Sequence, residues 1–412
     1  MGPIVSCDRI LLAVGSDFLG QWLPACIAAA LPGTEIRMVG KLWADGLGAR
    51  RAGVTYRCPP LICFRKSPDR VLRALIKDEI ETFSPSAVVY ITAESVMGGA
   101  MIAVAEEKGV PAVGLQTFFR RDAVLVHSAG VNWWKVLRDM PMSDGGAEAE
   151  GVESESDATG NPLFGQHVPS LPLDNRARVW VSRIERAVRS AFGTGYQRNT
   201  EGLFGLWTRR GGYGSHLLDS TWPRVPEFFS TPPVLVALHR PILPSGEPDW
   251  LDLIRFALAA TPPEIPLVLR PHPDEASHPL PIDLVVQLRE RGIFVSRKDS
   301  GLSLPRLVAS SRLVLTLNSA VGFQALMNGI PTVAITSSYY TRDGLALYFS
   351  PKTPTLLYDL FQQNALPRPD PRLVSVFMQS VMNRFAALLP PRSPMAVPAS
   401  NVVGRILEGL PF

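Results

Sequence analysis

The sequence predicts an α/β fold of two domains, each built on a parallel sheet, and three observations carry that prediction. Candidate strands alternate with candidate helices in both halves of the chain. That alternation is the signature of parallel sheets covered by helices on both faces. The length, 412 residues, exceeds what one hydrophobic core usually organises.

The first half opens with an apolar run at Arg9–Val14, then Gly15-Ser16, a helical stretch, and a second run at Glu35–Val39. Ser67-Pro68-Asp69 has the form of a helix start, an N-cap serine with proline at the first helical position. Leu72, Leu75, Ile76, Ile80 and Phe83 follow at helical spacing. Ala87–Thr92 reads as a strand, Ser95–Lys108 as a helix stopped by Gly109, and Val110–Leu115 as another strand. The second half repeats the pattern, with runs at Val234–Leu238, Pro266–Leu269, Ile293–Val295, Leu313–Leu317 and Thr332–Ile335. Helical patterns begin near Pro248, Pro281, Leu304 and Ser319, and two more, Arg372–Leu389 and Asn401–Leu407, close the chain. The expected division is an N-terminal domain over 1–192, a connection over 193–232 rich in Gly, Trp and Arg, a C-terminal domain over 233–371, and closing helices over 372–412.

Composition narrows the function classes. Hydrophobic residues make up 46% and charged residues 19%, and no uninterrupted apolar stretch reaches the length of a bilayer span. The apolar segment Leu11–Leu31 is broken by Asp17 and Gln21 and lacks the features of a secretory signal. Cys7, Cys26, Cys58 and Cys63 form no C-x-x-C pair and are too sparse for a disulfide framework, which suits a reducing, cytoplasmic compartment and argues against structural zinc. Residues 143–160 hold six acids (Asp144, Glu148, Glu150, Glu153, Glu155, Asp157) without a base or an aromatic, so a mobile loop is expected there. Leaving them out raises the formal charge from +4 to +10. A basic body suits anionic substrates or lipid headgroups, although scattered solvated Lys and Arg explain it as well. No compact basic and aromatic cluster points to nucleic acid.

Ligands of open parallel sheets bind beyond the carboxyl ends of the strands, so the loops after Leu238, Leu269, Leu317 and Ile335 are the ones to inspect. One reads Arg270-Pro271-His272-Pro273-Asp274-Glu275. Its prolines restrict the backbone around His272, whose imidazole can donate to a phosphate oxygen or protonate a leaving one. The other reads Asn318-Ser319 followed by a helix containing Gly322 and Gln324. The free amides and dipole of that helix start favour phosphate. Gly322 permits close approach, and Gln324, one turn in, can reach a ribose hydroxyl. A turn histidine and an ordinary capped helix are the bland readings of each loop taken alone. Of the other histidines, only His239, at the end of the first C-terminal strand, is placed to approach a ligand.

These blocks resemble the bacterial capsule-polysaccharide synthesis and export family that includes the Kdo transferases. The resemblance rests on Val234–Leu238, Arg270–Glu275, Leu315–Ala325, Gly329–Val333, Tyr339-Tyr340 and Gly344-Leu345. In the first half it rests on Phe118-Phe119-Arg120 and Gly130-Val131-Asn132. It implies two Rossmann-like domains in the GT-B arrangement and transfer of a sugar, with Kdo the family's example, from a cytidine-monophosphate donor without metal or other cofactor. The donor site would use Arg270, His272, Asn318, Ser319, Gly322, Gln324, His239 and Tyr340; the acceptor side would use Gly15, Ser16, Gln116, Phe119, Arg120 and Asn132. The partners implied are a nucleotide sugar, a glycan or glycolipid acceptor, the inner-membrane surface and the capsule export machinery.

Two positions depart from the family pattern, Gln116 and Gln324 standing where glutamates are expected. Glu94 and Asp122 are the nearest acids that could stand in for the first, against the bland reading of two solvated carboxylates. The alternatives to a transferase are a non-catalytic glycan- or nucleotide-binding assembly protein and a nucleotide-sugar epimerase, since a fold does not fix a function.

Overall fold

A computed structural model describes residues 8–14, 23, 27–40, 53–58, 68–91, 96–117, 123–128, 130, 133–142, 215–216, 222–238, 248–271, 279–296, 302–388, 403 and 406–408. The chain divides into two compact units: Met1–Trp133, Leu163–Thr208 and Val381–Phe412 in the first, Trp134–Pro162 and Arg209–Ser380 in the second. That division cuts after Trp133, Pro162, Thr208 and Ser380, and the cut after Thr208 falls within the stretch 193–232. The acidic stretch 143–160 lies outside the described residues.

The first unit holds β1 (Arg9–Val14), β2 (Glu35–Gly40), β3 (Thr55–Arg57), α1 (Pro68–Phe83), β4 (Ala87–Ile91), α2 (Val96–Lys108), β5 (Ala112–Thr117) and β6 (Ala123–His127). A short helix α3 (Trp133–Asp139) follows at the boundary. The second unit holds β7 (Ser215–His216), β8 (Val234–Ala237), α4 (Trp250–Ala260), β9 (Leu267–Arg270), β10 (Pro279–Leu280), α5 (Ile282–Glu290) and β11 (Phe294–Val295). It continues through α6 (Leu304–Ala309), β12 (Leu313–Thr316), α7 (Ala320–Met327), β13 (Thr332–Ala334), β14 (Leu347–Tyr348), α8 (Pro354–Gln362) and most of α9 (Pro371–Phe385), which leads into β15 (Ala386–Leu388).

In the first unit the sheet runs β15-β6-β5-β4-β1-β2-β3. β1 to β5 are parallel; at one edge β6 runs antiparallel to β5, and β15 runs antiparallel to β6. Ile10, Leu12, Val89, Ile91, Val113 and Leu115 alternate onto one face and form a core with Val403 and Ile406. The expected helix Arg372–Leu389 is shorter than its pattern suggests. It stops at Phe385, and Ala386–Leu388 pair with Ala123–Leu125 instead, because an apolar triplet gains ladder hydrogen bonds on an open sheet edge.

In the second unit the sheet runs β11-β9-β8-β12-β13-β14, all parallel. Numbered within the unit this is 3-2-1-4-5-6, the order of a Rossmann sheet. Every residue of β8, β12 and β13 is buried, as expected of strands covered on both faces. α4 starts in a capping box: Asp249 accepts from the amides of Leu251 and Asp252, while the Asp252 carboxylate accepts from the Asp249 amide. Two Rossmann-like sheets are therefore present, as the sequence predicts, the first parallel over β1 to β5 and the second throughout. No helix among the described residues is long and apolar enough to cross a membrane.

Two polar groups are built into the first unit's interior. Buried Glu79 on α1 accepts from Arg57 of β3 and lies 3.6 Å from Arg37 of β2, tying the helix to the sheet edge. On β6, His127 sits opposite Gly114, which sits opposite Tyr90 of β4. The two rings meet edge to face at 6.1 Å over the glycine, where a Cβ would come within 2.6 Å of His127 and 2.7 Å of Tyr90. Burial lowers the His127 pKa to about 4, because a charged imidazole is poorly solvated there.

Two outcomes are expected. Arg57→Ala leaves the buried Glu79 carboxylate with only Arg37 beside it and should destabilise the chain by about 1–3 kcal/mol in urea unfolding. His127 is held neutral in the fold and titrates near the ordinary value when unfolded, so its contribution is complete above pH ~6.5 and is lost as pH falls toward 4. Urea midpoints should fall over that window by the equivalent of ~3 kcal/mol, and His127→Leu should flatten that part of the profile.

Candidate functional site

The second sheet's strand order selects its own binding edge. From β8 the chain crosses through α4 to β9 and then through α5 to β11, each further out on one side; it then returns to place β12 on the other side of β8. The direction of winding reverses between β8 and β12, and the crossovers leave a crevice at the carboxyl ends of those strands. Leu238, Asn318 and Ser319 stand there, with Arg270 at the end of β9 one strand further along. Arg270 and Ser319 thus lie on the same edge, two strand spacings or roughly 9–10 Å apart along it.

β12 hands over to α7 through a dense set of hydrogen bonds. Ser319 is the N-cap, its hydroxyl accepting from the Val321 amide at 3.2 Å. Its own amide donates to Thr316 Oγ1 at 3.2 Å. Ser338, in the loop after β13, donates its hydroxyl to Asn318 Oδ1 at 2.8 Å. With that acceptor occupied, the Asn318 amide presents its NH2 donor. Thr336 donates to the Leu317 carbonyl at 2.8 Å. Tyr340 is wholly buried and donates its hydroxyl to the Ser319 carbonyl at 2.9 Å. Burial raises its pKa well beyond the usual phenol range, so it remains a donor. The free groups at this corner are therefore donors, which suits an anion.

Arg270 adds charge to the same edge. Its guanidinium is half-buried and gives one hydrogen bond, to Ser296 Oγ at 3.1 Å, after β11. No carboxylate pairs with it among the described residues. Burial lowers its pKa, yet at any ordinary pH it stays charged. A desolvated cation without a counter-charge is costly, and an anionic ligand would supply one.

The segment that builds this edge has recognisable relatives. Residues 236–380 match the family model described as capsule polysaccharide biosynthesis protein. A comparison of the whole sequence with curated proteins gave no match. Among solved structures the chain is similar to the β-Kdo 2,7 transferase KpsC of Thermosulfurimonas dismutans, at 12% identity and TM-score 0.42, over 97% of this chain and 99% of that one. It is similar to the UDP-GlcNAc 2-epimerase of Neisseria meningitidis at 11% identity and TM-score 0.38, over 97% and 99%. It is also similar to Acinetobacter baumannii MurG at 9% identity and TM-score 0.36, over 97% and 99%. Likeness at this level assigns no substrate and no residue role.

The matched segment, residues 236–380, contains all of the donor-side residues named from the sequence, and the structure brings Arg270, Asn318, Ser319, Gly322, Gln324 and Tyr340 to one sheet edge or the helix leaving it. Gly322 is buried, and what approaches it is Tyr340, whose hydroxyl would lie 2.5 Å from an added Cβ. Tyr340 stands behind the Asn318-Ser319 corner. Gln324 is half-buried on α7, and its backbone carbonyl accepts from the Asn328 side chain at 2.7 Å. Gln116, in the other unit, ends β5 half-buried; its Oε1 accepts no hydrogen bond among the described residues. His272, His239, Glu94, Asp122, Gly15, Ser16, Phe119, Arg120 and Asn132 lie outside the described residues.

Sequence reasoning did not single out Ser296, Ser338 or two further arginines. Arg138, at the end of α3, donates to Ser337 Oγ at 2.6 Å, and Arg342 donates to the Met140 carbonyl at 2.9 Å. Both bonds fasten residues 138–140 to the loop that carries Ser338 and Tyr340. Nothing in local sequence pattern announces contacts across about 200 residues. Lys135 and Arg138 also lie 5.4 and 5.6 Å from the Trp134 ring centre, so that ring is engaged by cations of its own helix.

Ser319→Ala removes the cap of α7 and should cost about 1 kcal/mol in urea unfolding. Ser319→Asp, a good cap that adds negative charge, should leave stability nearly intact while repelling any anion at this corner.

Proposed function

We propose that the chain is a sugar transferase of capsule polysaccharide synthesis, taking a sugar from a nucleotide donor held on the second unit's carboxyl edge. The observation that carries this reading is a half-buried guanidinium that no carboxylate among the described residues pairs with, on the same switch-point edge as an open helix start in a segment that matches the capsule family model. The phosphate nearest the sugar would rest against the first turn of α7 and the Asn318 side chain, and Arg270 would neutralise it. His272, two residues past Arg270 in a Pro-His-Pro sequence, would protonate the departing phosphate oxygen. The guanidinium, helix dipole and imidazole would then take the role a divalent ion plays in other transferases. A cytidine-monophosphate donor, with Kdo as the sugar, follows from the family resemblance. The acceptor, a growing capsule glycan or glycolipid at the cytoplasmic face of the inner membrane, would face the first unit, with Gly15, Ser16, Gln116, Phe119, Arg120 and Asn132. Glu94 or Asp122 would supply the carboxylate that Gln116 lacks.

A second reading draws on the same residue. Gln116 is half-buried, its side-chain oxygen accepts no hydrogen bond among the described residues, and an amide cannot serve as a base; a nucleotide-binding assembly protein without turnover would need no carboxylate there.

Calorimetric titration with cytidine monophosphate and with uridine diphosphate tests the donor site. Wild type should bind at least one of them, and Arg270→Ala should weaken it by roughly tenfold to a hundredfold. Absence of binding by wild type, or equal affinity in Arg270→Ala, would sink the proposal. Product analysis with a bound nucleotide's sugar donor then separates the two readings: transfer to an acceptor supports the enzyme, binding without transfer or donor hydrolysis the assembly protein.

A further inference from the structure

The Ser319 carbonyl receives two donors. The Gly322 amide reaches it at 2.9 Å as the first turn of α7 closes, and the Tyr340 hydroxyl reaches it at 2.9 Å from the loop after β13. A carbonyl held from two directions cannot swing. Because a trans peptide is planar, with C=O and N–H pointing in opposite senses, fixing the Ser319 oxygen also fixes the Ala320 N–H. Of the amides at this turn, Ser319 donates to Thr316, Val321 to the Ser319 side chain and Gly322 to the Ser319 carbonyl. Ala320 is the one left to point away from the helix.

Tyr340 reaches Ser319 only because position 322 is glycine: a Cβ there would lie 2.5 Å from the hydroxyl and 2.9 Å from Thr316 Cγ2. The phenol ring is itself held by neighbours, Tyr339 at 4.7 Å and Phe323 at 6.4 Å between ring centres. Phe323 in turn packs at 5.9 Å against Phe377. Ser338, two residues before Tyr340, holds Asn318. One short loop thus grips both residues of the corner.

We infer that Tyr340 is a positioning residue: by holding the Ser319 carbonyl, its hydroxyl aims the Ala320 amide outward at the ligand's phosphate, and Gly322 is the vacancy that admits it. Tyr340 touches no ligand in this arrangement. The inference rests on the reading of this edge as a nucleotide-phosphate site and adds the group that sets its geometry.

The test compares Tyr340→Phe, Tyr339→Phe and wild type for affinity toward cytidine monophosphate and uridine diphosphate, alongside thermal unfolding. Loss of the hydroxyl, which also has Ser338 and Thr316 within hydrogen-bond reach, should raise Kd in Tyr340→Phe roughly fivefold to tenfold. Tyr339→Phe, altering a buried phenol in the same cluster, should leave Kd unchanged even where it lowers Tm. A lowered Tm with unaltered Kd in Tyr340→Phe, or an equal loss of affinity in Tyr339→Phe, would mean that the ring merely fills space and would overturn the inference. If Tyr340→Phe does not fold, Gly322→Ala decides, since it keeps the phenol but displaces its hydroxyl; it should weaken binding likewise, and unchanged Kd would refute the role. Wild type binding neither nucleotide would bring down the phosphate site itself, a different failure from a wild type that binds and a Tyr340→Phe that binds equally well.

Discussion

Parallel strands joined by right-handed crossovers must all end at the same edge of their sheet, and that constraint governs what this chain can do. Helix starts are delivered to that edge and helix ends to the opposite one. Strand order then decides which helix start faces a crevice. In the second unit the order 3-2-1-4-5-6 leaves the opening beside β8 and β12, so the helix that matters is α7 and the corner that matters is Asn318-Ser319. Burial of every residue in β8, β12 and β13 fixes this frame. A polar corner can be specified accurately only on a support that does not shift.

The corner itself is organised from behind. Its acceptors are consumed by Ser338, Thr336 and Tyr340, all from the loop after β13, and its donors remain. Arg270 contributes a charge whose hydrogen-bond partner, Ser296, lies after the neighbouring β11 and carries no opposing charge. Among the described residues this corner offers donors rather than acceptors, which fits an anion and disfavours a neutral apolar solute. The opposite edge differs in kind: a groove of about 700 Å³ there is lined by Phe228, Phe229, Ile330, Pro331, Arg312 and others, and Arg312 already donates to Asn364.

Much of the second unit was legible in the sequence because strands buried on both faces must be apolar throughout. Val234–Leu238, Leu313–Leu317 and Thr332–Ile335 announce β8, β12 and β13 to within one residue. Ser319 was readable as a cap because its hydroxyl suits an N-cap and an apolar helix follows. Short elements were not readable. β14 and β10 have two residues each, too few for any period, and α3 was hidden in a tryptophan-rich stretch. β15 was misread as helix because Ala and Leu serve either structure and only the vacant edge of β6 decides between them. Tyr340 was picked out as a ligand residue, and the structure sets its hydroxyl against a backbone carbonyl; that distinction depends on packing over Gly322, which no spacing rule conveys. Arg138 and Ser337 are 199 residues apart, so their contact exists only once the fold does.

A crystal structure of the chain grown with a bound nucleotide would test the central claim most directly. Phosphate oxygens should stand within about 3 Å of the Ala320 amide and of the Arg270 guanidinium, at the carboxyl edge between β8 and β12. A nucleotide seated on the opposite edge, or one whose phosphates leave both groups without contact, would contradict the account.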